Sequence, residues 1–405
     1  MEIKQVSRPV VDKVAVIGGG LGGLATAIAL RKQGIDAHVY ERAKEFRPVG
    51  AGLALFANGL NSLDAISPGI VEKLKRASCP LNQSVFKKNT GETITQSTAT
   101  QQEKYGQPTL LFWWWRLQQV LARALPPEAI HLDYRCIGFE QDENGVTAYF
   151  DGDKSVRADL LIGADGINSP VRKTLIGDGE PRYLGSMSWR AVIEYNHELL
   201  NPNELIFMKG EQKVIYFFDV GDGYRCWTVR VLMPKSPVHE SAAEIKSRVV
   251  DQFSGCWEPL REIIGATDPE QILFSPICDR LPLKSWSQGR VTLLGDAAHP
   301  MAPSMAQGAN STFEDACELA QCLSESSSIA EALTTYENRR IPRTQAIQAQ
   351  SALTEQRFYA TDIGTQDPEK AARERVALEE FQSWAYGYDP NSESRLKPLM
   401  EISAT

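Results

Sequence analysis

A glycine-rich turn near the start of the chain has the residue types and spacing of an anion-binding site. Gly18, Gly20 and Gly23 satisfy the pattern G-x-G-x-x-G after the apolar run VAVI, and a helical pattern begins at Leu21. Gly18 permits a tight turn, Gly20 lets the backbone approach a pyrophosphate, and Gly23 lets the helix pack on the strand. The N–H groups and partial positive charge at the helix N-terminus would hold the pyrophosphate.

A carboxylate completes this first motif. Glu41 lies 23 residues after Gly18, at the end of the second apolar run IDAHVYE, where it would accept hydrogen bonds from ribose hydroxyls. A lone glycine triplet could be a mere tight turn, but here the strand, the helix and the acid are all in place. Residues 13–41 therefore predict a βαβ unit that binds a dinucleotide. This motif does not distinguish a flavin dinucleotide from a nicotinamide dinucleotide.

Two later motifs each follow an apolar run that predicts a buried strand. In DLLIGADGINSPVR, Asp165 follows such a run, although this segment alone could be a helix start with an aspartate cap. In VTLLGDAAHPMAPSMAQGANSTFED, Asp296 is placed to accept from ribityl hydroxyls, and a helix begins near Gly308. Its N-terminus could face an anion such as a reduced flavin. The alternative for this third motif is an ordinary strand–helix crossover.

The elements that must position these motifs form two groups. Apolar runs followed by helical patterns predict a parallel α/β unit around the three motifs. The segment from about 182 to 274 alternates apolar and polar residues, as in KVIYFFDV and YRCWTVRVLM, and predicts an antiparallel sheet in a second lobe. Residues 113–125 predict a helix headed by Arg116, and the chain from about 330 onward is helical and polar.

Composition excludes several classes of function. The chain has 405 residues, a net charge of −8 and no Lys/Arg-rich block, which disfavours nucleic acid as a partner. The longest apolar stretch, Val14 to Leu30, is interrupted by five glycines and does not predict a membrane span. The sequence predicts no metal site, because its seven cysteines include no CxxC pair and its five histidines have no HExxH spacing. This use of cysteine suits a cytoplasmic protein. We expect a small-molecule substrate and either a monomer or a homodimer.

The three motifs, in this order and at these distances, resemble the class A flavoprotein monooxygenases related to p-hydroxybenzoate hydroxylase. The resemblance covers about residues 13 to 345. The flavin loop GDAAHPMAPSMAQGA and the C-terminal WAYGYD at 384–389 are similar to the salicylate, 3-hydroxybenzoate and 6-hydroxynicotinate hydroxylases. Zeaxanthin epoxidase-like proteins and urate hydroxylases share much of the pattern. Ala306 stands where many members have glycine, and Ala54 stands where the 6-hydroxynicotinate enzymes carry histidine, which disfavours a pyridine substrate.

The resemblance implies a Rossmann-type FAD-binding domain, a mostly antiparallel substrate domain and a helical C-terminal tail. The expected bounds are 1–80, 105–180 and 285–345 for the FAD-binding domain, 81–104 and 181–284 for the substrate domain, and 346–405 for the tail. It also implies non-covalent FAD, NAD(P)H as co-substrate, and transfer of oxygen from a flavin hydroperoxide to a small aromatic or heteroaromatic substrate. The alternatives are an epoxidase or hydroxylase acting on an isoprenoid or purine-type substrate, and a flavin-binding protein without catalytic activity.

The resemblance also assigns cofactor contacts. Glu41 and Arg42 would hold the adenosine ribose and its phosphate, Arg116 the pyrophosphate or flavin ring, and Ile137 the adenine through its backbone. Asp296 would bind ribitol. The remaining cofactor contacts expected from the motifs are Leu21, Gly52, Asp165, Gly308, Ala309 and Asn310, the last three at the flavin pyrimidine.

Three residues are candidates for the substrate side. The resemblance places Pro303 beside the reactive edge of the flavin, and Tyr216 matches a substrate-side tyrosine of this subgroup. Arg190, in the strand SWRAVIE, could meet a substrate carboxylate. The structural alternatives are a half-buried sheet tyrosine for Tyr216 and an exposed sheet arginine for Arg190. His299 is better explained as a residue that shapes the flavin loop.

Overall fold

The computed structural model describes residues 9–48, 51–210, 212–235, 240–253, 255–359 and 368–396. The predicted FAD-binding segment 1–80 and tail 346–405 thus lie partly outside the described residues. The strands are β1 Lys13–Ile17, β2 Asp36–Glu41, β3 Gly52–Leu55, β4 Cys79–Pro80, β5 Gln83–Lys87, β6 Thr93–Thr98, β7 Leu110–Trp113, β8 Ile130–Leu132, β9 Cys136–Asp142, β10 Gly145–Phe150, β11 Lys154–Ala158, β12 Leu160–Gly163, β13 Arg182–Glu194, β14 Glu204–Gly210, β15 Lys213–Gly221, β16 Tyr224–Leu232, β17 Leu273–Asp279, β18 Ser287–Gln288 and β19 Val291–Leu293.

The α-helices and the short 3₁₀ turns connect these strands. The helices are α1 Leu21–Lys32, α2 Ala57–Ile66, α3 Ile70–Arg76, α4 Gln101–Tyr105, α5 Trp114–Ala122, α6 Pro170–Leu175, α7 Ala242–Gln252, α8 Glu258–Ala266, α9 Gly308–Glu325, α10 Ile329–Tyr359 and α11 Pro368–Tyr386. The 3₁₀ turns are Pro127–Ala129, Pro269–Gln271, Gly295–Ala297, Pro303–Met305 and Glu393–Leu396.

The first sheet has the strand order β18-β19-β12-β1-β2-β8. Every neighbouring pair is parallel except β18 with β19. β12 and β19 are completely buried, as expected for parallel strands that are covered on both faces. Helix α1 is also buried from Leu21 to Leu30 and packs on α9, because Gly22 leaves room for the Thr312 side chain. The expected α/β fold with a Rossmann-type unit is confirmed.

The second sheet has the order β17-β13-β16-β15-β14-β5-β6 and is antiparallel except where β14 pairs with β5. Its two faces differ. One face carries Trp189, Phe217 and Trp227, all buried in a core with residues of α7 and α8. Side chains alternate along a strand, so Arg190, Tyr216 and their neighbours lie on the opposite face. The sheet therefore has an apolar face and a polar face.

Two local expectations differ from the structure. Trp113 ends β7 rather than beginning a helix, because the buried run LLFW pairs with β3 on one side and β4 on the other. Helices α7 and α8 interrupt the region expected to be mainly strands. The expected tail boundary at 345/346 falls inside α10. No helix in the described ranges is long and apolar enough to cross a membrane.

Candidate active site

The glycine-rich turn forms an open cradle at the N-terminus of α1. Gly18 has a φ of 109°, and a Cβ added there would lie 2.5 Å from the Ala164 carbonyl oxygen. A Cβ on Gly23 would lie 1.8 Å from the Gly18 carbonyl oxygen, so only glycine lets α1 start this close to β1. A Cβ on Gly20 would meet no atom within 4 Å. The space in front of Gly20 is therefore open, next to the buried first helical residue, Leu21.

The three motifs converge because their strands are neighbours. Ile17 of β1 pairs with Gly163 of β12, and Gly163 pairs with Leu293 of β19. The residues that follow these three positions are the glycine-rich turn, the loop with Asp165 and the loop with Asp296. The carboxyl ends of parallel strands lie at one edge of a sheet, which is where open α/β sheets bind ligands.

Glu41 is fixed beside the turn by two backbone groups. Its Oε2 accepts from the Gly19 N–H at 2.7 Å and its Oε1 from the Ala43 N–H at 2.8 Å. Each oxygen keeps acceptor capacity for a ribose hydroxyl. Gln118 of α5, which the sequence did not single out, donates to the Gly19 carbonyl at 2.8 Å and holds the turn from the other side. Arg42, the next residue along the chain, is exposed.

Asp165 presents a carboxylate oxygen without a partner in the described part of the chain. Its Oδ2 accepts from the Val171 N–H at 3.2 Å, whereas its Oδ1 is buried and makes no hydrogen bond. Burial raises the pKa of Asp165 to about 6, against lowering contributions from Ser169, backbone N–H groups and Arg42. The alternative cap interpretation is only partly right, because Ser169 caps α6 by accepting from the Arg172 N–H. An orphaned acceptor at this edge fits a ligand that donates hydrogen bonds.

Asp296 lies in front of helix α9. Its side chain is open to solvent, yet protein surrounds it closely enough that desolvation raises its pKa. A Cβ on Gly308, the first residue of α9, would be 3.8 Å from Asp296 Oδ1. An accessible carboxylate inside a cleft suits hydrogen bonds from the hydroxyls of a polyol chain.

The start of α9 has no side-chain cap. The Asn310 side chain is used within the protein: its Oδ1 accepts from Phe56 N–H at 3.0 Å, and its Nδ2 donates to the carbonyls of Ala54 at 3.1 Å and Ala306 at 2.8 Å. The backbone N–H groups of Gly308 and Ala309 remain for a ligand at the helix N-terminus. Ala306, just before the helix, has a φ of 50°, in the left-handed region that favours glycine.

Three other predicted cofactor residues have distinct surroundings. Ile137 is the extra residue of a β-bulge, since Tyr149 pairs with Gly138 and Phe150 with Cys136, and the bulge leaves its backbone outside the ladder. Gly52 packs on the second sheet, where an added Cβ would lie 2.4 Å from Phe218. Arg116 faces the turn between β15 and β16, pairing with Asp222 at 2.9 Å.

The polar face of the second sheet brings two predicted substrate residues together. Arg190 pairs across the sheet with Thr228, and Thr228 pairs with Tyr216, so the three lie in one row on one face. Tyr216 Oη accepts from Arg230 at 2.6 Å, and Arg230 pairs with Glu355 of α10 at 2.6 Å. Burial raises the pKa of Tyr216 to about 12. Arg190 makes no ion pair or hydrogen bond with any described residue, and burial lowers its pKa.

The turn containing Pro303 is attached to the same helix as this polar face. Pro303 is exposed, and the adjacent Ser304 donates to the Ser351 carbonyl of α10 at 2.6 Å. Glu355, which binds Arg230, lies one helical turn after Ser351. Helix α10 therefore holds the Pro303 turn and the Arg190–Tyr216 row in a fixed relation.

Two buried arginines that the sequence did not single out as site residues hold the motif loops. Arg172 donates to the carbonyls of Ala297 and Ala298, both at 3.0 Å, and pairs with Asp178. Arg280 donates to the Ile167 carbonyl at 2.9 Å. The spacing of Arg172 within the second motif was the available signal, but the two carbonyls that it holds, those of Ala297 and Ala298, lie more than a hundred residues away.

A buried ionic network lies behind α9. Glu314 accepts from Arg340 at 2.7 Å, from Arg343 at 2.6 and 2.8 Å, and from the Asn58 amide at 2.7 Å. Arg343 also donates to the Ala385 carbonyl at 2.7 Å. The C-terminal WAYGYD segment is therefore docked on α9 and α10 through this network.

His299 belongs to the same network and shapes the flavin loop. Its Nε2 lies 2.5 Å from Asp315 Oδ2, and the same oxygen accepts from the Gly295 N–H at 3.1 Å. Arg340 donates to the other Asp315 oxygen at 2.7 Å. The open space at Gly20, the orphaned Asp165 oxygen and the uncapped α9 together fit FAD.

Comparisons with known proteins also indicate an FAD-binding chain. The family model described as "FAD binding domain" matches residues 12–207 and 265–351. The chain is 31% identical over 331 residues to the aurachin C monooxygenase/isomerase of Stigmatella aurantiaca, covering 82% of this chain and 85% of that protein. It is 30% identical over 388 residues to the 3-amino-4-hydroxybenzoate 2-monooxygenase PtnB3 of Streptomyces platensis, covering 93% and 96%. The crystal structure of Klebsiella pneumoniae HpxO complexed with FAD and uric acid matches with 27% identity and a TM-score of 0.81, covering 94% and 96%.

Proposed function

This chain belongs to the FAD binding domain family and is an FAD-dependent monooxygenase, and from that premise we propose that it uses NAD(P)H and O2 to hydroxylate a small aromatic or heteroaromatic substrate. When bound, FAD supplies the reduction of oxygen and the transfer of one oxygen atom. The chain's own residues bind and orient the two partners and exclude water.

The observation that carries this proposal is the unpaired Arg190 on the polar face of the second sheet. Arg190 is partly exposed and has no counter-charge among the described residues, so its guanidinium is available to a ligand that carries a negative charge. A small ring with a carboxylate, phenolate or enolate oxygen supplies that charge. Tyr216, in the same row, offers a hydroxyl to the same ligand, and Pro303 would lie beside the ring.

The cofactor roles belong to the same proposal. Glu41 would accept from the adenosine ribose, Arg42 would meet its phosphate, and the open cradle at Gly20 would receive the pyrophosphate. Asp296 would accept from ribityl hydroxyls, and the start of α9 would face the negatively charged edge of the reduced ring. Arg116 would meet the pyrophosphate or the flavin, and the Ile137 backbone the adenine. The domain bounds, the cytoplasmic location and a monomeric or homodimeric state remain part of this proposal.

The test is NADH and NADPH oxidation by the FAD-loaded protein against hydroxylated aromatic acids, purines, N-heterocycles and isoprenoids, with peroxide measured in parallel. We expect one anionic ring compound to stimulate oxidation of one nucleotide and to yield a product that carries an atom from ¹⁸O2. We expect Arg190→Met to raise KM for that compound by roughly tenfold or more, since a charge-assisted contact of about 1.5 kcal/mol or more is lost. If no compound stimulates oxidation of either nucleotide, the hydroxylase proposal is wrong. A product formed only from isoprenoids would favour the epoxidase alternative.

A further inference from the structure

A buried polar chain runs from the second sheet to helix α10. Glu355 of α10 pairs with Arg230 of β16 at 2.6 Å, and Arg230 donates to Tyr216 Oη of β15 at 2.6 Å. Ser186 of β13 donates to the other Glu355 oxygen at 3.4 Å. Only 3% of the Arg230 side chain and 5% of the Glu355 side chain are exposed. This ion pair joins two elements that are 125 residues apart in the chain.

The chemistry of arginine fixes the direction of the hydrogen bond to Tyr216. A guanidinium carries donors and no acceptor, so the Tyr216 oxygen must accept from Arg230. The Tyr216 proton then points to another atom, and no described residue accepts it. Without Arg230, the hydroxyl could rotate and serve as either donor or acceptor. With Arg230 held by Glu355, Tyr216 can only donate to whatever lies in front of the sheet.

The other polar groups on this face that lack a partner among the described residues also favour a ligand that accepts hydrogen bonds. Arg190 has no counter-charge among the described residues, and Ser188 Oγ is buried without a hydrogen-bond partner. Burial raises the pKa of Tyr359 to about 12 and that of Cys226 to about 11, so these neighbouring groups are neutral at physiological pH. The face therefore presents a free cation and a fixed donor, and the complementary ligand atom is an anionic oxygen.

We propose that Glu355, acting through Arg230, is a positioning residue that holds Tyr216 as a hydrogen-bond donor to a phenolate or enolate oxygen of the substrate, with Arg190 as its counter-charge. This inference rests on the proposed function, because it assigns the substrate class of the same site. The substrate binds as its conjugate base, and its proton leaves to solvent before or during binding. A ring held as the anion is more electron-rich at carbon, which favours hydroxylation at that ring.

The test uses 4-nitrophenol as a probe, because its absorbance distinguishes the phenol from the phenolate. The full-length, FAD-loaded protein is titrated with the probe over a range of pH, and the pKa of the bound probe is compared with that of the free probe. The variants are Tyr216→Phe, Glu355→Gln and the combination of both. Tyr183→Phe is the matched control, since it removes a hydroxyl from the same sheet that bonds to the Met233 carbonyl, away from this row.

We expect the native protein to lower the pKa of bound 4-nitrophenol, as an opposite charge within about 4–6 Å does by roughly 1–3 units. Tyr216→Phe should weaken phenolate binding by roughly tenfold, because a hydrogen bond to a charged group is lost. Glu355→Gln should weaken it by a similar factor in the native background and by less than about twofold in the Tyr216→Phe background. A purely structural role of Glu355 would give equal losses in both backgrounds, and that result would overturn the proposal. Equal phenolate binding by Tyr216→Phe and the native protein would overturn it as well.

A second variant covers the case in which Glu355→Gln fails to fold. Replacing both partners, Arg230→Met with Glu355→Leu, leaves no unpaired buried charge and is often neutral for stability. This double variant should retain FAD and lose the preference for phenolate as Tyr216→Phe does. Unchanged phenolate preference in it would refute the role of the pair. The probe titration needs no turnover, so its failure is distinct from a failure of the NAD(P)H oxidation assay.

Discussion

Replacing Glu314 by glutamine tests the buried ionic network behind the flavin loop. The Glu314 side chain is fully buried and accepts four hydrogen bonds, three of them from Arg340 and Arg343. Glutamine has nearly the same volume, so the change creates no cavity. Its amide replaces one acceptor oxygen by a donor, which faces the donors already present. Two guanidinium groups therefore lose their shared carboxylate.

The expected cost follows from what remains buried. Removing one partner of a buried ion pair costs about 3–5 kcal/mol, because the other charge stays in the interior without compensation. Arg340 keeps Asp315 and Arg343 keeps the Ala385 carbonyl, which places the loss at the lower end of this range. For a chain of this size such a loss lowers Tm by roughly 3–5 °C.

The assay is thermal unfolding of the FAD-loaded protein, followed by tryptophan fluorescence. The control is Glu92→Gln, which removes an exposed ion pair with Lys88 at 2.8 Å and should cost less than about 1 kcal/mol. Burial alone would raise the pKa of Glu314, but Arg343 and Arg340 outweigh burial and hold the pKa below its usual value of 4.5. The native protein therefore exceeds Glu314→Gln in free energy of unfolding by the full amount above about pH 4.5. This difference shrinks as the pH falls through the lowered pKa of Glu314 in the folded protein. If Glu314→Gln matches the control at pH 7, the network contributes no net stability and the reasoning fails.

Three further changes give expected outcomes. Gly23→Ala should abolish FAD retention and lower Tm of the apoprotein, since its Cβ would lie 1.8 Å from the Gly18 carbonyl oxygen. Gly20→Ala should leave the apoprotein stable and weaken only FAD binding. Equal apoprotein stability of the two variants would contradict this expectation. Ala306→Gly should raise Tm by about 1 °C, because removing left-handed strain of about 1–2 kcal/mol outweighs the added backbone entropy of glycine, and a lower Tm would refute it. Asp165→Asn should stabilise the apoprotein more at pH 7.5 than at pH 4.5, because burial raises the Asp165 pKa from 3.8 to about 6 and the native protein loses stability as the pH rises between these two values. A pH-independent difference would argue against the raised pKa.

The sequence predicted the fold around the three motifs well because its signals are local. Gly18, Gly20 and Gly23 act through their own backbone geometry, and Asp165 and Asp296 directly follow apolar strands. Neighbouring parallel strands then bring these loops to one edge without further information. The α/β fold and the antiparallel second sheet followed from the same patterns of apolar residues.

The remaining features depend on contacts between distant residues. Arg190 and Tyr216 could be named as candidates, but their common row requires the register with Thr228. The surroundings of Arg116 likewise required the position of the 220–222 turn. Trp113 was assigned to a helix because an apolar run of this length is ambiguous until its strand partners are known.

Helix α10 shows why the last third of the chain carries a weak sequence signal. Its buried residues include Arg340, Arg343, Gln348, Ser351 and Glu355, spaced three to five residues apart. A buried helix face is normally recognised by apolar residues, so a polar face of this kind resembles a solvated tail.

Each of these polar residues instead holds a different part of the site. Arg340 and Arg343 bind α9, Gln348 donates to the Pro300 carbonyl at 3.0 Å, and Glu355 binds Arg230. At Ser351 the backbone carbonyl accepts from the Ser304 hydroxyl. Apolar packing would let these contacts slide, because it has no direction, whereas hydrogen bonds fix the distance and angle of each one. One rigid helix thus sets the flavin loop, the Pro303 turn and the substrate sheet relative to each other. Oxygen transfer requires that kind of placement, since a shift of about 1 Å between reacting groups can cost roughly a hundredfold in rate.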